Sequence, residues 1–270
     1  MKDEDSKGNI RFLGRKRHMG RVLCDMKLFK FTFKDTNKGW EEMEKEWEIA
    51  RDSLSQITVL AYENNEPVTI HGHSHELKCI GVGTDAAVFQ SVYAPSYAFK
   101  VFAETAADKI NIERKIYDRI GESPFFPACF DSTERYLVIS YEKGTTLFDC
   151  ILRGIHIPEQ VIKDVDKACE DLRQKGLNPR DIHLKNILLY NGRAKILDVS
   201  EYLKPGNDFR WEHLKEAYER YYPHIDGRPV PFWIVETVRK WYHSRKKYFS
   251  SYDDFMKYVL KLSLLAKKES

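Results

Sequence analysis

The chain has 270 residues, 42% of them hydrophobic, and carries 44 Lys and Arg against 41 Asp and Glu, a net charge of +3. That length fits one large domain or two intimate lobes with an ample core. The near-balanced charge is not a nucleic-acid-binding composition, although Arg11, Arg15, Lys16, Arg17 and Arg21 form one local basic cluster and Arg239, Lys240, Arg245, Lys246 and Lys247 another.

The start, MKDEDSKGN, is polar and charged, unlike a secretory signal peptide, and no run reaches the apolar length of a membrane span. Cys24, Cys79, Cys129, Cys150 and Cys169 are scattered and form no C-x-x-C pair. Such a set predicts reduced thiols and a cytoplasmic protein.

Residues 1–10 are expected to be loose. Val22–Cys24 and Leu28–Phe33 read as short strands. Trp40 to Ser53 reads as a helix, with Trp40, Met43, Trp47 and Ala50 at helical spacing. Ile57–Tyr62 and Val68–Ile70 read as strands about the turn at Glu63–Glu66. His71, His73 and His75 then alternate, so an extended backbone puts them on one side. Three imidazoles suggest zinc, but the intervening Gly72 and Ser74 and the lack of a further ligand beyond Glu76 favour an exposed loop.

Leu77–Ile80 is a strand leading into Gly81-Val82-Gly83. Two glycines so spaced allow a tight turn whose N–H groups approach phosphates. A dinucleotide-binding loop needs a helix next. Phe89, Val92, Tyr93 and Pro95 argue for a strand, Ala87–Tyr93, instead. Tyr97–Phe102 is the following strand, with Lys100 as a polar residue among apolar neighbours. On its own it reads as a lysine on the wet side of an edge strand.

Ala103–Ile120 reads as a helix with an apolar stripe of Ile112, Ile116 and Ile120 and with Glu113 beside it. Arg135–Tyr141 is an apolar strand followed by Gly144. Pro158–Lys175 is a helix ended by Gly176. Ile187–Leu189 and Ala194–Leu197 pair through the Asn191-Gly192 turn. That hairpin sets Asn186 just before one strand and Asp198 just after the other, with Asp181 on the entering loop. Two oxygen ligands and a nearby carboxylate suit a hard divalent cation and a hydroxyl, though a merely polar hairpin has the same look. Helices are expected at Glu212–Tyr221, Pro231–Tyr242 and from a cap at Ser251–Asp254 to about Lys267.

Several of these stretches together resemble the protein-kinase-like superfamily, over roughly residues 77 to 235. The family's H-R-D-L-x-x-x-N stands here as Pro179-Arg180-Asp181-Ile182-His183-Leu184-Lys185-Asn186, and its D-F-G as Asp198-Val199-Ser200. Gly81, Gly83 and Val88 match G-x-G-x-x-G-x-V in register, with Ala86 in the third glycine's place. Lys100 takes the place of the lysine of V-A-I-K. The resemblance implies an α+β, two-lobed fold: an N-terminal extension over 1–76, a mostly β N-lobe over 77–143 and a shortened helical C-lobe over 144–270.

It also implies roles. Lys100, paired with Glu113, holds the donor phosphates of ATP. Asn186 and Asp198 hold Mg²⁺, and Asp181 serves the acceptor hydroxyl. The backbone of Ser140, Tyr141 and Glu142 holds adenine, with Ile139 behind it and Leu188 beneath. Asp208 braces the catalytic loop or caps the next helix.

Three departures from the pattern stand out: Pro179 replaces the usual His, Ser200 the usual Gly, and no A-P-E follows. His183 stands where protein kinases usually have Lys and where small-molecule kinases of the aminoglycoside and choline type usually have His. The expected function is phosphoryl transfer from ATP to a protein serine or threonine. The alternatives are a small-molecule kinase and an ATP-binding pseudokinase. Residues 236–270 carry nine Lys and Arg against four Asp and Glu, which suits an acidic or phosphorylated acceptor better than a cationic one. A monomer is the default.

Overall fold

Alternation along one strand explains the small half of the molecule. In Tyr97–Phe102 (β5), Ala98 and Phe102 pack with one hydrophobic cluster and Phe99 and Val101 with another. Successive side chains of a strand point to opposite faces, so this sheet is buried on both faces at β5. Its order is β3 (Leu77–Val82), β4 (Ala86–Ser91), β5, β7 (Tyr136–Ser140) and β6 (Cys129–Ser132), with antiparallel neighbours throughout. Lys100 lies on the central strand and not on an edge.

The computed structural model describes residues 45–64, 66–248 and 251–266. The expected strands at Val22–Cys24 and Leu28–Phe33, the first basic cluster, Cys24 and Trp40 lie outside them. So do the side chains of Arg245, Lys246 and Lys247 in the second cluster. The helix expected to reach Ser53 is, in its described part, a 3-10 turn, Glu46–Ala50, running into a short helix, α1 (Arg51–Ser55). β1 (Thr58–Leu60) and β2 (Thr69–His71) form a separate antiparallel pair.

This N-terminal segment covers the outer face of the five-stranded sheet. Ala50, Leu54, Ile57, Val59 and Val68 join Phe89, Phe99, Val101 and Val138 in one core. Trp47 packs its ring 5.3 Å from Tyr97 and 5.8 Å from Phe130. The Arg135 guanidinium donates to the Ile57 carbonyl at 2.7 Å.

The inner face carries α2 (Asp108–Ile120). Its buried side is Ile110, Glu113, Ile116, Tyr117 and Ile120. Ile112, expected in the apolar stripe, is 38% exposed. The helix also begins later than Ala103, because Glu104–Ala106 forms a 3-10 turn first.

Below this sheet lie β8 (Thr145–Thr146), α3 (Leu147–Arg153), α4 (Glu159–Gln174) and the hairpin β9 (Ile187–Tyr190) and β10 (Arg193–Ile196). β6, β8 and α3 were not expected from the sequence. Thr146 caps α3 by accepting from the Asp149 N–H at 3.0 Å. α5 (Arg210–Tyr221), α6 (Phe232–Tyr248) and α7 (Tyr252–Ala266) complete the helical part. The result is a two-lobed α+β fold. Among the described residues no helix is long and apolar enough to cross a membrane.

Candidate active site

The hairpin places the polar groups. The Leu197 N–H donates to the Asn186 carbonyl at 2.8 Å, which extends the β9–β10 pairing by one step. Asn186 and Asp198 therefore sit at the same end of the hairpin. A buried carboxylate on α4 fixes this unit from behind. Asp164 accepts from Arg193 Nε at 2.7 Å, from Arg193 Nη2 at 2.9 Å and from the Ala194 N–H at 3.0 Å. Its only sequence signal is a carboxylate within the apolar face formed by Val161, Val165 and Ala168. Burial alone would raise the Asp164 carboxyl, but the bonds from Arg193 and Ala194 outweigh it and hold it below the usual carboxylate range.

Lys100 reaches across to this end from β5. Its Nζ donates to both Glu113 oxygens at 2.7 Å and lies 3.5 Å from Asp198 Oδ1. Glu113 is 1% exposed. A carboxylate this deep in a core needs a cation, and Lys100 is the cation present. Desolvation would lower Lys100, but the carboxylates of Asp198 and Glu113 prevail and keep the ammonium well above the ordinary lysine range. Asp198 is pushed up by desolvation and pulled down by more, from Lys100 and from the Ser200 N–H at 3.0 Å, so it ends lowered. Both groups are thus charged at neutral pH.

The loop before the hairpin holds Asp181 in an unusual conformation. Its φ is 55°, the left-handed region that Asp tolerates better than most residues. Its N–H donates to Asp208 Oδ2 at 2.8 Å, and its carbonyl accepts from Asn186 Nδ2 at 3.2 Å. Asp208 also accepts from the Arg210 N–H at 3.1 Å, so it both braces the loop and steadies the start of α5. Arg180 donates through Nη1 to the carbonyls of Pro205 and Gly206 at 2.8 and 3.2 Å. His183 Nε2 lies 3.8 Å from Asp181 Oδ1. Arg210 makes an ion pair with that same oxygen. No sequence signal pointed to Arg210, since an arginine opening a helix usually reads as a solvated residue.

The remaining expected residues flank this cluster. Gly81 lies within β3, opposite Val88 at a register shift, and Gly83 lies in the β3–β4 turn, where its N–H donates to the Ala86 carbonyl at 2.8 Å. Val88 packs against the inner core, and Leu188 is buried. In the strip expected to hold adenine, two N–H groups are engaged within the protein. Ser140 donates to the Ala128 carbonyl at 2.8 Å and Tyr141 to the Ser96 carbonyl at 2.9 Å. The Glu142 side chain accepts from Ser140 Oγ at 2.6 Å. Gly144 follows with φ of 149°, and a Cβ there would lie 2.8 Å from the Leu189 carbonyl oxygen. Only glycine allows so close a pass between this strip and β9. The histidine run brings His73 and His75 to 3.3 Å, but no metal-binding group of three or more such ligands occurs among the described residues.

A β-rich lobe with a buried Lys–Glu pair, set over a helical lobe with an Asn- and Asp-bearing hairpin, is a kinase-like arrangement. No established family profile matches the chain. Curated proteins do match it. The chain is 32% identical over 181 residues to the Bacillus subtilis (strain 168) protein named "Putative serine/threonine-protein kinase YrzF", covering 66% of this chain and 84% of that protein. It is 25% identical over 169 residues to the Danio rerio "Serine/threonine-protein kinase SBK1" and 26% identical over 129 residues to the Drosophila melanogaster "Atypical protein kinase C". Those alignments take in 57% and 41% of this chain but 44% and 21% of the relatives, so the chain spans less than half the length of either. On the first of these relationships, the chain belongs to the protein-kinase family.

Proposed function

We propose that this protein transfers the γ-phosphate of ATP to a serine or threonine hydroxyl of a protein, with magnesium as cofactor. The observation that carries the reading is the charged chain Glu113–Lys100–Asp198, at 2.7 and 3.5 Å, linking the sheet to the hairpin. Such a lysine is immobile and fully charged, as a donor-phosphate ligand must be. Asp198 is held ionised, and Asn186 is anchored through its NH₂ group, which makes the amide oxygen its metal-binding end. This oxygen-rich pair fits a hard cation. When bound there, magnesium supplies neutralising charge for the donor phosphates.

The chain's own groups do the rest. Lys100 orients the donor phosphates. Asp181 accepts the hydroxyl hydrogen as the acceptor oxygen bonds to the γ-phosphorus. The bond from that phosphorus to the bridging oxygen breaks, and its electron pair leaves with ADP. The Glu142 N–H and the carbonyls of Ser140 to Glu142 serve adenine, over Leu188 and beneath Val88. Gly81 and Gly83 let the backbone close on the phosphates. We also take residues 77–143 and 144–270 as the two lobes, with 1–76 as an extension. The names of the relatives favour a protein acceptor.

The acceptor class is tested with purified enzyme and γ-labelled ATP. It is offered first alone, then with acidic and basic proteins, then with a metabolite extract. Acid-stable label on serine or threonine of protein is the expected result. Label confined to small molecules would overturn the acceptor assignment.

A further inference from the structure

The group proposed to receive the hydroxyl hydrogen does not stand alone. One oxygen of Asp181 is ion-paired to the Arg210 guanidinium, and Arg210 Nε is also 3.5 Å from Asp208 Oδ2. Arg210 opens α5, and that helix is fixed on α4 from its first turn. Trp211 Nε1 donates to Asp166 Oδ1 at 2.8 Å, and Lys215 pairs with Asp166 at 2.5 Å. The guanidinium is therefore positioned by the fold and not by chance. Its side chain is 32% exposed, so a ligand at the catalytic loop can reach it.

An arginine bound to a general base has two effects. It makes the carboxylate a weaker proton acceptor, and it occupies an oxygen that the hydroxyl needs. A guanidinium also presents a planar fork that matches carboxylate and phosphate. An anionic group carried by the acceptor offers Arg210 a second partner, and taking it loosens the hold on Asp181. Because Arg210 touches Asp181, that anion must lie beside the reacting hydroxyl. A neutral acceptor brings no such exchange and meets Asp181 still paired. Of the neighbouring basic groups, Arg180 Nη1 is engaged by the Pro205 and Gly206 carbonyls, Lys185 lies 4.0 Å from Glu236 and over the Phe148 ring, and His183 Nε2 stands 3.8 Å from the same Asp181 oxygen without the planar fork of a guanidinium.

We infer that Arg210 is a specificity-determining residue that selects serine or threonine flanked by an anionic group, carboxylate or phosphate, and that holds Asp181 back until such an acceptor binds. The inference rests on the reading of Asp181 as the group that receives the hydroxyl hydrogen.

Three peptides that differ only beside the serine, carrying Gln, Glu or phosphoserine there, test it on the full chain with labelled ATP. Wild-type protein is expected to show kcat/KM roughly ten-fold or more higher for the Glu and phosphoserine peptides than for the Gln peptide. The two anionic arms show which source of charge is preferred. Arg210→Ala should bring the three peptides within about two-fold of one another, by raising the rate on the Gln peptide, which no longer meets a paired Asp181, and by losing the anion contact on the other two. Arg210→Lys, which keeps the charge without the fork, should keep the sign of the preference at reduced size. Equal use of all three peptides by wild type would overturn the inference, whatever the variants do. So would an undiminished preference in folded Arg210→Ala, or in Arg210→Gln should the alanine variant not fold. Asp181→Asn separates the two levels. If it transfers phosphate as well as wild type, the reading of Asp181 falls and this inference with it. If it is inactive while wild type ignores acceptor charge, only the role of Arg210 falls.

Discussion

Asp164 shows how much of the candidate site rests on a residue remote from its polar cluster. It ties α4 to the β9–β10 hairpin through Arg193 and the Ala194 N–H. Asp164→Asn removes the charge and leaves one backbone N–H poorly matched. The expected loss is about 1–3 kcal/mol at neutral pH, read as a lower Tm. The sign of the pH dependence follows from the lowered Asp164 carboxyl. A carboxylate depressed on folding stabilises fully above its unfolded value of about 3.9 and loses that contribution as pH falls toward the folded value. The Tm gap between wild type and variant should therefore be widest near pH 7 and narrow below about pH 4. A gap that widens on acidification would contradict this.

Single residues differed in how plainly the sequence announced them. Lys100 stood out as a charge inside an apolar strand, and the alternation of β5 puts it on the inner face with Ala98 and Phe102. Glu113 was legible only through its family counterpart, because a glutamate in a helix usually faces water. Its neighbour Ile112 was misread as core for the same reason: helical spacing alone does not say which of two adjacent stripes is buried. Arg210 gave no local signal at all. Its partner Asp181 lies on another element, and such long-range pairs leave no trace in spacing.

At the scale of elements, the segment before Leu77 covers the outer face of the sheet. Leu54 is 1% exposed and packs with the core that contains Phe99 and Val138. Leu54→Ala should cost roughly 2–5 kcal/mol, the range for emptying a filled core position. It should do so without changing the ratio of phosphate transfer to nucleotide binding at temperatures where the variant stays folded. An unchanged Tm would mean that this segment does not share the core.

Long, strongly patterned elements were readable: α4, β5 and the hairpin lie within a residue or so of their expected bounds. The short ones were not. β8 has two residues and α3 seven, too few for a periodic pattern to show, and β8 pairs with β9 just after Gly144, which passes too close to Leu189 for a side chain. The irregular start of α2 arises because Glu104–Ala106 turns more tightly than an α-helix before Asp108. The single helix expected to end at Ser53 is, in its described part, a 3-10 turn followed by one short helix, held by Trp47 against Tyr97 and Phe130.

For the whole molecule, the β-rich and helical parts meet through Lys100 and Asp198 at 3.5 Å, through Lys195 and Glu142 at 3.4 Å, and through the hydrophobic core they share. The fold class was legible because the order of motifs along the chain is the order of parts in the fold. The role inferred for Arg210 was not, since it depends on α5 meeting the loop that carries Asp181. Lys100→Ala removes the cation between Glu113 and Asp198 and should abolish both the Tm rise on adding ATP with magnesium and the transfer itself. In the proposed mechanism Asp181 does not hold the donor, so its substitution should separate these properties. The most direct measurement is therefore magnesium-dependent transfer of labelled phosphate from ATP by Asp181→Asn beside wild type, with ATP binding shown equal by thermal shift. A loss of roughly 10²–10⁴-fold in transfer is predicted, the usual worth of a general base. Transfer at the wild-type rate with binding intact would contradict the placement of catalysis at this loop.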